Sequence, residues 1–209
     1  GKDRIGPEFQ FGHVMGDHFE EPVLLIKTAW GGKSLQKDFS PPSSGGDVGP
    51  FYTEMLQHVS DVLKNMDELF PEYEGRGYEI VGFGWHQGWN DGCNAAAVEE
   101  YEVNMANFIR DVRTALDVEE MPFVIANSGF GGWNQSIDRR LGIVAAQAAV
   151  AEYDEFEGTV ACIETRGFFR PAEESPSRQG YHWNGNAETY FLIGDAMGNA
   201  MVEILEDAK

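Results

Sequence analysis

The sequence is poor in cysteine, in basic residues and in long apolar runs, and each shortage removes a class of function. Its 209 residues contain two cysteines, Cys93 and Cys162, without C-x-x-C or metal-type spacing, so neither a disulfide framework nor a zinc ribbon is available. Cys162 falls in the apolar run Thr159-Val160-Ala161-Cys162-Ile163 and reads as a buried thiol, whereas Cys93 closes a polar, tryptophan-flanked segment. Lys and Arg total 15 against 35 Asp and Glu, a net charge of -20, so polyphosphates and anionic membranes meet a repulsive average field. Nucleic acid is not expected as a partner. No stretch approaches the roughly 18 consecutive apolar residues of a membrane span, and the first residues lack the apolar core of a signal peptide. Neither a P-loop nor an H-E-x-x-H pair is present, and the residues ask for no metal or cofactor.

What is there has the order of an α/β domain. The length fits one domain over 1–209. Four short runs rich in β-branched or aromatic residues and bounded by turn formers read as buried strands: Pro22 to Trp30, Tyr78 to Trp85, Met121 to Asn127 and Gly158 to Glu164. Between them, Met55, Val59, Val62, Leu63 and Met66 form one stripe at helical spacing. Tyr101, Met105, Phe108, Val112 and Leu116 form another. Further helices are expected from Leu141 to Tyr153 and from about Asn186 to Leu205. Alternation of this kind predicts a three-layer α/β/α sandwich with a parallel sheet, whose functional groups lie in loops after the strands.

Three such loops concentrate polar chemistry. Thr28-Ala29-Trp30-Gly31-Gly32-Lys33-Ser34-Leu35 offers paired glycines whose N–H groups can approach a ligand. Trp85-His86-Gln87-Gly88-Trp89-Asn90-Asp91-Gly92 crowds amides, a carboxylate, an imidazole and two indoles into one strand exit. Gln179-Gly180-Tyr181-His182-Trp183-Asn184 places a histidine just ahead of the last helix, a suitable position for a general base. Each pattern also has a plain structural reading: a tight turn, a capped helix start, a hydrogen-bonded histidine.

The order Gly-Gly-Lys-Ser-Leu, Trp-His-Gln-Gly-Trp-Asn-Asp and a late Gly-Tyr-His resembles the sialate O-acetylesterase and acetylxylan-esterase-like branch of the SGNH hydrolases, over essentially the whole chain. The resemblance implies an SGNH/flavodoxin-like fold and serine acyl transfer on an acetylated carbohydrate, with a histidine base oriented by a carboxylate. By it, His182 is the base, Asp91 the candidate orienting acid, and Gly31 or Gly32 an oxyanion donor. Two registers remain open for the middle block. In the His-Gln-Gly-Glu register Gln87 lines the oxyanion hole and Trp89 replaces the family's glutamate; in the Gly-x-Asn-Asp register Asn90 takes that role. The Asp-x-x-His arrangement would put aspartate where Gln179 stands.

The family's Gly-Gln-Ser-Asn type nucleophile motif is absent, and Ser34 matches a serine of the second block instead. The expectation is therefore an N-terminally incomplete domain, with the first strand and its serine upstream, and association through the exposed face, by a homo-oligomer or by that upstream segment. By the resemblance a secreted or periplasmic setting is compatible; the residues fix no compartment. Trp89, Trp133 and Trp183 are candidates for stacking on sugar faces. Two other readings compete: a non-catalytic sugar-binding domain derived from such an esterase, and a metal hydrolase built on His86, Asp91 and His182.

Overall fold

The computed structural model describes residues 5–208. At its centre lie three parallel strands, β1 (Phe83–Trp85), β2 (Phe123–Ala126) and β3 (Val160–Ile163), in that spatial order. Gly84 pairs with Val124, and Val124 with Ala161. Successive β2 residues point to opposite faces, and all four are fully buried. Phe123 and Ile125 enter a core completed by α2 (Pro50–Lys64), α4 (Ala95–Leu116) and α5 (Asp138–Ala151), through Tyr52, Met55, Phe108, Ile143 and Val150. Val124 and Ala126 enter a second core with α1 (Glu8–His18) and α6 (Ala187–Asp207), through Met15, Ile193, Met197 and Met201. A single helical turn, α3 (Met66–Leu69), follows α2. The result is the expected α/β/α sandwich.

The second helical stripe faces the first core, with Tyr101, Met105, Phe108 and Val112 completely buried; of the first stripe Met55 joins that core, while Val59, Val62 and Leu63 are only half-buried. On the other face of β1, Gly82 and Gly84 have no Cβ, so Met201 and Met197 of α6 lie directly on the strand backbone. Asn94 and Asn186 begin the helices that follow two of the functional loops. Their side chains accept hydrogen bonds from Ala96 N–H and Thr189 N–H at 2.9 and 3.1 Å.

One expected strand does not form. Pro22 to Trp30 joins no ladder, and no backbone hydrogen bond ties it to any other part of the described chain. Val23 packs on the second core and Trp30 on the first, while Leu24 and Leu25 are each 38% exposed. Aliphatic composition gives such a run its β-propensity, but a strand exists only against a paired backbone, and among the described residues none pairs with it. β2 and β3 occupy the centres of their predicted ranges, whereas β1 keeps only the last three residues, Phe83–Trp85, of the range that begins at Tyr78. Among the described residues no helix is long and apolar enough to cross a membrane.

Candidate functional site

The loop after β1 and the loop that follows Pro22 to Trp30 are locked together by one buried carboxylate. Asp91 is 1% exposed. Its Oδ2 accepts the Leu35 N–H at 3.0 Å and the Gln87 Nε2–H at 2.6 Å, and its Oδ1 accepts the Gln36 N–H at 3.0 Å. Burial pushes the Asp91 carboxyl above its usual range, against the pull of the Gln87, Gln36 and Leu35 hydrogen bonds. Gln87 Nε2 also donates to the Lys33 carbonyl at 2.9 Å, so both amide hydrogens are in use. Its Oε1 accepts from the Tyr101 hydroxyl at 3.0 Å, and its carbonyl from Gln147 Nε2 at 2.7 Å and Ser128 Oγ at 3.0 Å. Gly88, at φ 151°, follows in a conformation foreign to L-residues, and a Cβ there would overlap the Ser128 hydroxyl and press on Ile143.

Beside this network stand groups with nothing to bind. Gly31 and Gly32 are exposed, and neither N–H has a backbone acceptor among the described residues. Asn90 is exposed, and among the described residues its side chain caps nothing and makes no hydrogen bond. His182 is exposed as well; its ring lies 4.7 Å from that of Tyr181 and its nitrogens have no hydrogen-bond or ion-pair partner among the described residues. The loop carrying it is nevertheless firmly held. Trp183 and Asn184 are both buried in left-handed backbone, at φ 49° and 56°. Trp183 Nε1 donates to His86 Nε2 at 3.2 Å, and Asn184 Nδ2 to the Arg170 carbonyl at 3.0 Å. Consecutive left-handed non-glycine residues are costly and persist only where surroundings dictate them.

Of the residues singled out from the sequence, Gly31, Gly32, Gln87, Asn90 and Asp91 belong to one tied pair of loops. The His182 loop meets them through Trp89, whose ring is 5.6 Å from that of Tyr181. Trp89 is itself sandwiched, with the Arg140 guanidinium 3.9 Å over its ring and Phe130 edge-on at 5.2 Å. Asp91 and His182 are not hydrogen-bonded to each other. Nor do His86, Asp91 and His182 assemble as ligands: no three such side chains are grouped to hold a metal among the described residues. His86 is withdrawn against Trp183 and Phe130, and burial pulls its pKa down to about 4. The Cys162 thiol is pushed up to about 12 by burial, and Cys93 is exposed with its sulfur against the Trp89 carbonyl.

The family model described as carbohydrate esterase, sialic acid-specific acetylesterase, matches residues 2–202. The chain belongs to this family. No curated protein is significantly similar. A protein of Arabidopsis thaliana, known from an X-ray structure at 1.6 Å, shares the fold with a TM-score of 0.68 at 17% identity, over 95% of this chain and 68% of that one. In this carbohydrate esterase three members of the network, Tyr101, Ser128 and Gln147, lie outside the motifs that the sequence displays. Tyr101 was part of an apolar stripe, yet its hydroxyl also receives Trp85 Nε1–H at 3.2 Å and Gln147 Nε2–H at 3.1 Å. The available signal was Gln147 itself, a fully buried amide in an alanine-rich helix, where a polar side chain needs partners.

Proposed function

We propose that this carbohydrate esterase removes acetyl groups from sugars by serine-type acyl transfer. His182 acts as general base, Asn90 and the Gly31-Gly32 backbone hold the oxyanion, and the nucleophilic serine comes from a segment outside the described residues. The observation carrying this reading is the exposed, unpartnered His182 imidazole on a rigid loop, at the same edge as a free amide and two free N–H groups. No serine hydroxyl among the described residues is hydrogen-bonded to it. In the reaction, the serine oxygen bonds the acetyl carbon while its proton passes to His182, and the carbonyl oxygen becomes the anion held by the donors. Collapse returns the proton to the departing sugar oxygen; water then repeats the sequence and releases acetate.

A sugar substrate is supported by the family match and by Trp133. Trp183 is buried and Trp89 sandwiched, but Trp133 is 66% exposed, with the Arg166 guanidinium 4.2 Å over one face of its ring. Arg166 is held by Glu164 through bonds of 2.9 and 2.6 Å, which fixes the backing and leaves the opposite indole face open to a sugar. Acetate release from O-acetylated oligosaccharides by the full-length protein tests the function. Turnover is expected, with Trp133→Ala raising KM several-fold on oligosaccharides and leaving a small chromogenic acetate unaffected. Saturable sugar binding without acetate release would instead establish a non-catalytic sugar-binding domain.

A further inference from the structure

We infer that Gln87 and Asp91 are positioning residues that set the Gly31-Gly32 turn as an oxyanion-holding wall, acting through the Lys33–Gln36 backbone rather than on the substrate. The inference rests on the ester-hydrolysis reading above. Three consecutive grips hold that backbone: Lys33 O from Gln87 Nε2, and Leu35 N–H and Gln36 N–H by the two oxygens of Asp91. The loop is further closed on itself, because Ser34 N–H and Oγ–H both donate to Asp38 Oδ2, at 2.8 and 2.9 Å. Leu35 is completely buried between these contacts. The two residues immediately before the gripped stretch are the exposed glycines with unused N–H groups.

Burying a carboxylate to fasten a surface turn is an expensive way to close a loop, since an ion taken from water needs several hydrogen bonds in return. What it provides is directional: two successive N–H groups fixed by a bidentate acceptor, and a carbonyl fixed by the amide that also fixes the acceptor. Oxyanion stabilisation depends on donors already in place before charge develops, so a wall held in this way contributes to the rate and little to substrate binding. Gln87 is in turn immobilised by Tyr101, Gln147 and Ser128, which anchors the turn to α4, α5 and the exit of β2.

The test compares Asp91→Asn and Gln87→Met with Arg113→Met in the full-length protein. Arg113 is a buried side chain at the opposite end of the sheet, donating to the Met121 carbonyl, so its loss reports on stability alone. Asp91→Asn and Gln87→Met should each lower kcat for acetyl-ester hydrolysis about 100-fold with KM within about threefold. Arg113→Met should lower Tm comparably and leave kcat unchanged. Amide hydrogen exchange should show faster exchange at Leu35 and Gln36 in the first two variants only. Wild-type kcat in Asp91→Asn, an equal loss in Arg113→Met, or unaltered protection at Leu35 and Gln36 would each overturn the inference. Absence of turnover in the wild type would defeat the ester-hydrolysis reading, and the catalytic meaning of the brace with it; the exchange measurement would still report whether the brace exists.

Discussion

Two halves of one sheet edge carry similar polar residues in opposite states. Around Gln87 and Asp91, every amide hydrogen and carboxylate oxygen has a partner within 3.0 Å, and the network runs through Tyr101 and Gln147 into the core. Asn90, next to Asp91, and His182, on another loop, are exposed, and their side chains make no hydrogen bond among the described residues. A satisfied buried network holds geometry, while an unsatisfied exposed group is available for chemistry. The contrast separates residues that a motif lists side by side: Asn90 is available as an oxyanion donor, whereas the Gln87 amide is already engaged.

The strongest way to break the comparison is to spoil the satisfied half. Gly88→Ala places a Cβ against Ser128 and Ile143 at a φ that alanine avoids, so a loss of about 3 kcal/mol or more is expected, read as a fall in Tm or in soluble yield. A variant as stable as wild type would show that the network tolerates movement. On the open half, Asn90→Ala should leave Tm within about a degree, because the side chain supports nothing, yet lower kcat about 100-fold or more. An unchanged kcat would return the oxyanion role to another group.

A smaller effect concerns the join between the halves, where Trp183 N–H rests on the neutral His86 ring. His86 stays neutral in the fold down to about pH 4, whereas an unfolded chain protonates it near 6.5. The unfolded state therefore binds more protons in that interval, and stability falls as pH drops from about 6.5 towards about 4, by up to about 3 kcal/mol. Comparing the pH dependence of Tm with that of His86→Phe isolates this contribution from the titrating carboxylates. Parallel curves would mean that His86 is open to protonation in the folded protein.

Much of this was legible in the sequence for a physical reason: alternation and helical spacing report burial, and burial places three strands, their helices and the loops between them. Pro22 to Trp30 was not legible, because strand formation depends on a neighbouring backbone that a linear pattern cannot supply. Partners were hidden as well. The sequence shows that Gln87 and Asp91 can donate and accept but not that they do so to each other, and Tyr101 hides its hydroxyl in an apolar stripe. The three indoles illustrate the same limit, since burial of Trp183, enclosure of Trp89 and exposure of Trp133 are properties of the packed loops.

The most direct measurement is acetate release from an O-acetylated sugar by the full-length protein and its His182→Ala variant, with Tm recorded on both. The account predicts equal stability, because the imidazole holds nothing together, and a fall in kcat of about 10³-fold or more. Turnover in His182→Ala within a few-fold of wild type would contradict it.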